Sequence, residues 1–158
     1  MIKLLFVCLG NICRSPTGEG VMQKLVKDRG LSNQVFCDSA GTIAYHAGEG
    51  ADNRMQKHAN ARGYSLNSIS RKFRFPDDYE EFDYILAMDN QNFNDLMRLD
   101  KDGIYRHKLY KMTDYCQALN AMEVPDPYYG GPQGFETVID IIEDACDNLL
   151  NQIIENNG

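Results

Sequence analysis

An apolar run at residues 2–7 is followed at once by a polar loop over residues 8–15 and then by Pro16. A continuous apolar run of this length is typical of a strand that is covered on both faces, and proline is favoured in the first turn of a helix. The same succession returns at residues 82–88, where an apolar run precedes a helical pattern over 90–99. Strands that alternate with helices in this way predict a parallel sheet with helices on both faces.

Apolar spacing and turn-forming residues predict the other elements. Helices are expected over residues 16–29, 48–62 and 90–99 and from Phe135 onward, and strands over 2–7, 34–39, 82–88 and 108–112. Residues 123–134 are rich in Pro, Asp and Gly and predict a loop. No repeat or linker divides the chain. The sequence therefore predicts one α/β domain over residues 1–158, in three layers, with a central four-stranded parallel sheet and helices on both faces.

Composition argues against several classes of protein. The chain has 158 residues and a net charge of −7, whereas nucleic-acid binding needs a basic surface. No apolar run approaches the roughly 20 residues that span a bilayer, and the first apolar run is shorter than a secretory signal. Five cysteines are scattered and odd in number, which predicts free thiols in a reducing compartment. We therefore expect a cytoplasmic protein that binds neither nucleic acid nor membrane.

The loop over residues 8–15 reads Cys-Leu-Gly-Asn-Ile-Cys-Arg-Ser. In a parallel sheet it lies beyond the carboxyl end of the first strand, where ligands bind. The helix that follows it presents backbone amides and a partial positive charge, which bind anions and favour the thiolate form of a cysteine such as Cys8. Gly10 allows a tight turn, and Asn11 tolerates a left-handed backbone. The loop after strand 1 is therefore predicted to bind phosphate.

Two further residues of the loop suit phosphoryl transfer to Cys8. Arg14 offers a planar fork that matches two phosphate oxygens, which lysine cannot do, and Ser15 can donate its hydroxyl to the thiolate. Cys8 by itself is also typical of a small buried hydrophobic residue. Cys8 and Cys13 have the spacing of half a zinc site, but the other cysteines and the three histidines form no second half. A metal site is therefore not expected.

Four blocks of the chain resemble the low-molecular-weight protein tyrosine phosphatases. They are residues 7–16 around the loop, Asp-Ser-Ala at 38–40, Phe-Asp-Tyr-Ile-Leu-Ala-Met-Asp at 82–89, and Asp-Pro-Tyr-Tyr-Gly at 126–130. The blocks fall in the family's order across nearly the whole chain. The resemblance implies a hydrolase without a cofactor. It would remove phosphate from tyrosine in proteins, and from small aryl phosphates, through a cysteinyl-phosphate intermediate.

The resemblance also implies a role for each site residue. Cys8 is the nucleophile, Arg14 and the loop amides bind phosphate, and Asp126 is the general acid and later the base. The residues expected to bind the phosphate or surround the substrate ring are Leu9, Gly10, Asn11, Ile12, Cys13, Ser15, Tyr128 and Tyr129. Inorganic phosphate or another oxyanion is an expected ligand of the loop, and the protein is expected to be a monomer.

The resemblance gives the loop a supporting network of hydrogen bonds. Asn11 and Ser39 are expected to belong to it, and Ser68 stands where the family often has a histidine. Ser39 could also be an ordinary serine at the end of a strand. Residues 41–50 are expected to make specificity contacts, although their sequence departs from the better-known relatives.

The acid and the aromatic residues near it have alternative interpretations. Asp126 stands between two prolines, where a turn aspartate is common, and Asp89 after the third strand is the next candidate for the acid. Tyr128 and Tyr129 are otherwise exposed loop aromatics or sites of phosphorylation.

Two neighbouring residues of the loop bear on substrate choice and on redox behaviour. Relatives that act on phosphoarginine tend to carry threonine at position 12, whereas Ile12 is apolar and favours phosphotyrosine. Cys13 is expected either to trap an oxidised Cys8 as a reversible disulfide or to be a packed thiol.

Two other functions compete with hydrolysis. A thiol-coupled arsenate reductase shares the loop and the fold, but it needs a relay of further cysteines, and Cys37, Cys116 and Cys146 show no close pair. A phosphate-binding module without catalysis would have lost its nucleophile, whereas the cysteine, the arginine and the acid are all present in this chain.

Overall fold

Four parallel strands form the centre of the computed structural model, which describes residues 1–157 apart from the side chain of Tyr129. The strands are β1 (Ile2–Cys8), β2 (Val35–Gly41), β3 (Tyr84–Ala87) and β4 (Leu109–Lys111), and they lie in the order β2-β1-β3-β4. Every neighbouring pair is parallel. The predicted four-stranded parallel sheet is confirmed, and the carboxyl ends of all four strands meet at one edge.

The helices cover both faces of this sheet. They are α1 (Arg14–Asp28), α2 (Asn53–Ala61), α3 (Asp77–Glu81), α4 (Asn90–Leu99) and α5 (Gly131–Asn157). Because successive side chains of a strand point to opposite faces, β1 contributes to two cores. Leu4 and Phe6 pack with α1, α2 and α5, whereas Leu5 and Val7 pack with α3 and α4. None of the helices in residues 1–157 is long and apolar enough to span a bilayer.

The predicted starts of α2 and α5 show the largest errors among the helix boundaries. α2 begins at Asn53 rather than at residue 48, because residues 48–50 pair with residues 69–70. Asp52 then caps the helix by accepting hydrogen bonds from two backbone amides of its first turn. α5 begins at Gly131 rather than at Phe135, so the end of the predicted loop 123–134 is helical.

Smaller differences also bear on the site. α1 begins at Arg14 rather than at Pro16, and β2 continues to Gly41, where it pairs with Cys8. The short helix α3 was not predicted, because five residues are too few to show a helical period. β3 and β4 are shorter than the predicted strands. As a result Arg14 lies in the first turn of α1, and residue 41 lies beside the loop that follows β1.

Candidate active site

Cys8 is the last residue of β1, and its side chain is 2% exposed at the carboxyl edge of the sheet. Its Sγ lies 3.0 Å from Oγ of Ser15, in the first turn of α1. Asn11 Nδ2 donates to the same Oγ at 2.8 Å, which leaves the hydroxyl hydrogen of Ser15 to point to another acceptor. The acceptors nearby are the Cys8 sulfur and the Ala40 carbonyl, and the carbonyl is at 3.4 Å. Ser15 is therefore placed to donate to a Cys8 thiolate.

The carbonyls of the loop between β1 and α1 accept hydrogen bonds from residues outside it. Those of Cys8 and Leu9 accept from the amides of residues 42 and 43, that of Ile12 accepts from the amide of Asp52, and that of Cys13 accepts from residue 17. In the described part of the chain, the amides of residues 9–15 donate to no protein acceptor. Unpaired amides that precede and begin a helix form a cradle for an anion.

Asn11 has a left-handed backbone, with φ +56°. Hydrogen bonds from the segment that follows α2 hold this conformation. The amide of Arg71 donates to Asn11 Oδ1 at 3.0 Å, and the Ser70 hydroxyl donates to the carbonyl of Gly10 at 2.9 Å. Ser70 is buried, and Arg71 forms ion pairs with Asp38 and Asp78. Sequence analysis did not find these two supporting residues, because nothing in the local pattern places residues 70 and 71 beside the loop.

The expected support of the loop by Ser39 differs from what the structure shows. The Ser39 hydroxyl donates to Oε1 of Glu19 at 2.6 Å, and so it contacts helix α1 instead of the loop. Ser68 Oγ is buried without a hydrogen-bond partner in the described residues. The hydrogen bonds that support the loop from outside therefore come from Ser70 and Arg71.

Arg14 is 4% exposed and has a carboxylate partner of its own. Its Nη1 donates to Asp89 Oδ2 at 2.6 Å and to the carbonyl of Val124 at 3.1 Å. Burial lowers the pKa of Arg14, but its interactions with Cys8 and Asp89 raise it more, so that the pKa lies above its ordinary value. The guanidinium is therefore a fixed cation, and its Nε and Nη2 have no partner among the described residues. Asp89, which also caps α4, positions Arg14.

The loop residues line a cleft of about 110 Å³. Its lining consists of Cys8, Leu9, Gly10, Ile12, Cys13, Arg14, Ile43, His46, Asp126 and Tyr128. The structure thus brings Asp126 and Tyr128 to the loop over residues 8–15, which we call the phosphate loop and from which they are distant in sequence. Ile43 and His46 come from the segment 41–50, in which specificity contacts were expected. A larger cavity of about 340 Å³ lies against α4 and contains neither a cysteine nor Asp126.

Asp126 lies in the loop that joins residue 123 to α5, which we call the acid loop (residues 123–130). Its Oδ1 accepts a hydrogen bond from the amide of Tyr128 at 3.0 Å, and its side chain is exposed to solvent. Tyr128 is 61% exposed. Tyr129 ends a short 3-10 turn, but its side chain lies outside the described residues. The acid loop therefore closes one wall of the cleft with a carboxylate and an aromatic ring.

Cys13 lies in the same cleft as Cys8, but its thiol is protonated at neutral pH. Burial raises the pKa of Cys13 to about 12, with further increases from Asp52, Cys8 and Asp126. Its proposed redox role stays a prediction. Within residues 1–157, no group of three or more His, Cys, Asp or Glu side chains could hold a metal ion.

Residues 3–157 match the family described as low molecular weight phosphotyrosine protein phosphatase. The chain belongs to this family. It is therefore a phosphatase. A low molecular weight protein-tyrosine-phosphatase of Streptomyces coelicolor is 38% identical over 156 residues, which are 97% of this chain and 94% of that one.

Two solved structures extend the comparison with the family. A protein tyrosine phosphatase of Entamoeba histolytica, crystallised with Hepes in its active site, is 49% identical, with a TM-score of 0.94 over 100% of both chains. An arginine phosphatase of drosophila is 30% identical, with a TM-score of 0.89 over 96% of this chain and 98% of that one. The low molecular weight phosphatase fold therefore occurs in proteins named for two different substrates.

Proposed function

We propose that this phosphatase hydrolyses phosphotyrosine in proteins, and small aryl phosphates, through a cysteinyl-phosphate on Cys8. One observation carries the proposal. Cys8 lines a cleft with its sulfur 3.0 Å from the Ser15 hydroxyl, and Arg14 and Asp126 line the same cleft. A nucleophile, a cation for phosphate and a proton donor are the three groups that this reaction needs.

In the first step, the Cys8 thiolate attacks phosphorus and the bond between phosphorus and the tyrosine oxygen breaks. The amides of residues 9–15 and the Nε and Nη2 of Arg14, which have no hydrogen-bond partner in the described part of the chain, bind the other phosphate oxygens and stabilise their charge. Asp126 gives its proton to the departing phenolic oxygen. This protonation matters because a phenolate is a poor leaving group.

In the second step, the Asp126 carboxylate takes a proton from a water molecule, which attacks phosphorus. The bond between phosphorus and sulfur breaks, inorganic phosphate forms, and Cys8 departs as a thiolate. The Ser15 hydroxyl stabilises that thiolate. Because Asn11 donates to the Ser15 oxygen, the hydroxyl hydrogen of Ser15 is left to point to the Cys8 sulfur. Asp89 keeps Arg14 in place through both steps by holding Nη1.

The lining of the cleft favours an aromatic substrate. Leu9, Ile12 and Ile43 offer apolar contacts, and the Tyr128 ring stands beside Asp126. Such surfaces suit a phenyl ring, which gains from contact with apolar and aromatic side chains. Hepes in the active site of the Entamoeba relative supports an oxyanion as ligand of the loop. The likeness to an arginine phosphatase makes phosphoarginine the second candidate substrate.

The experiment compares phosphate release from a phosphotyrosine peptide and from the same peptide with phosphoarginine. We expect hydrolysis of the first to exceed that of the second by at least about tenfold in kcat/KM, because a one-methyl difference in an apolar pocket already changes rates by about 10-fold or more. A preference for phosphoarginine would reverse the substrate assignment.

The mechanism is tested with Cys8→Ser, which should abolish turnover and still bind vanadate. Cys116→Ser is the matched control, since Cys116 is a half-buried free cysteine near α5 and outside the cleft. Turnover by Cys8→Ser would refute the covalent mechanism. We also propose that the protein works as a cytoplasmic monomer, which gel filtration and fractionation of cells can check.

A further inference from the structure

We propose that Arg54 is a positioning residue that holds the acid loop over the catalytic cleft. The proposal rests on the function proposed above, in which Asp126 is the acid. Arg54 stands in the first turn of α2, outside the lining of the cleft. Its guanidinium carbon lies 5.1 Å from the centroid of the Tyr128 ring and 5.1 Å from that of the Phe135 ring. Both distances are within the roughly 6 Å at which a cation is attracted to an aromatic face.

One of these rings lies in the acid loop, and the other lies in the helix that follows the loop. Tyr128 is two residues from Asp126, and its amide donates to the Asp126 carboxylate. Phe135 stands in the first turns of α5, where the acid loop passes into the helix, and His58 stacks on it at 5.3 Å. A guanidinium near both rings therefore connects the exposed loop that carries Asp126 to a helix that is packed in the core.

The other side of Arg54 is tied to the phosphate loop. Its Nε and Nη2 donate to the two carboxylate oxygens of Asp52 at 3.3 and 3.1 Å. The amide of Asp52 donates to the carbonyl of Ile12 at 2.8 Å. Asp52 also caps α2, which fixes the start of the helix and with it the backbone of Arg54. One arginine thus links the loop that holds the phosphate to the loop that carries the acid.

Hydrogen bonds of the Val124 backbone hold the start of the acid loop. The side chain of Arg54 contacts the loop later, at Tyr128. The amide of Val124 donates to the carbonyl of Met88 at 2.8 Å, and its carbonyl accepts from Arg14. Beyond Val124, the amide of Gly130 donates to the carbonyl of Pro127, within the same loop. Proton transfer requires a geometry so exact that a shift of about 1 Å can cost about 10²-fold in rate. A contact that fixes Tyr128 therefore fixes the distance over which Asp126 gives its proton.

The test uses the dependence of the rate on the leaving group. A phenol with a high pKa must be protonated as it departs, whereas nitrophenolate needs less protonation. We expect Arg54→Ala to lower kcat/KM for a phosphotyrosine peptide by about 10-fold and for p-nitrophenyl phosphate by less than about 3-fold. Vanadate affinity should change less than about 2-fold, because the phosphate loop keeps its own contacts.

Two companion variants separate this role from a general effect on the surface. Arg98→Ala is the matched control, since Arg98 is also an exposed helical arginine paired with an aspartate, at 3.0 Å from Asp95. It should leave both rates within about 2-fold. Arg54→Lys keeps the charge but loses the planar fork. On a logarithmic scale, we expect its decrease in kcat/KM for the phosphotyrosine peptide to be about half of that caused by Arg54→Ala. If Arg54→Ala fails to fold, Arg54→Lys provides the same comparison of leaving groups.

A double-mutant cycle with Asp126→Asn gives the decisive result. If Arg54 acts by positioning the acid, Arg54→Ala should add less than about 2-fold to a protein that already lacks the acid. Equal losses for both leaving groups, or full additivity with Asp126→Asn, would overturn the role of Arg54. If Asp126→Asn itself slows both substrates equally, the acid assignment of the proposed function fails, and the role of Arg54 fails with it. Asp126→Asn alone thus tests the acid assignment. Arg54→Ala tests the positioning role once that assignment holds.

Discussion

The phosphate loop and the acid loop line one cleft, but they are held in different ways. The phosphate loop is enclosed by the ends of β1 and β2 and by residues 70–71, and Cys8, Asn11 and Arg14 are buried. The acid loop is exposed at Asp126 and Tyr128, and side-chain contacts from α2 restrain it. A buried, hydrogen-bonded segment opens rarely, whereas an exposed loop opens at low free energy. The difference suits a site that must bind phosphate in one geometry and also let the phenol leave.

The difference between the loops can be tested first where the largest effect is expected, at Arg14. Arg14→Lys should lower kcat/KM by about 10³-fold on both phosphotyrosine and p-nitrophenyl phosphate, because lysine cannot bind two phosphate oxygens and also hold Asp89. Arg106→Lys, at an exposed position in a 3-10 turn, should change neither rate. A loss confined to the poorer leaving group would mean that Arg14 serves the acid loop instead.

The acid loop should give a loss of a different kind. Asp126→Asn should slow phosphotyrosine by about 10²-fold and p-nitrophenyl phosphate much less, as judged by the rate of enzyme phosphorylation. Asp102→Asn, in an exposed loop, is the control. Equal small losses on both substrates would make Asp126 a turn residue only.

The smallest effect is expected from the support beneath the phosphate loop. Ser70→Ala should lower the free energy of unfolding by about 1–2 kcal/mol and weaken vanadate binding a few-fold, because the carbonyl of Gly10 loses its buried donor. Ser68→Ala is a matched control two residues away, since the Ser68 hydroxyl is buried without a partner in the described residues. It should be neutral or slightly stabilising. Urea unfolding and vanadate titration measure the two effects. If Ser70→Ala and Ser68→Ala had equal effects, Ser70 would have no specific role in supporting the loop.

The order of the elements and the position of the catalytic loop could be predicted from the sequence. The apolar strand, the loop over residues 8–15 and the start of a helix are contiguous, and each is decided by interactions between near neighbours in the chain. The sequence also indicated that Asn11 tolerates a left-handed backbone, and its φ is +56°, but the hydrogen bonds that hold this conformation come from residues 70 and 71. Helix starts were predicted less well, because residues 48–50 pair with a distant segment and Gly131–Gly134 join α5.

The partners of the loop residues were decided by the tertiary structure. Asp89 is 75 residues from Arg14, and Arg71 is 60 residues from Asn11. The contact of Arg54 with Tyr128 likewise joins α2 to the acid loop. A residue's own sequence neighbourhood determines its backbone and its chemical type. Which distant side chain reaches it depends on how the helices pack against the sheet, and no local pattern of residues records that packing.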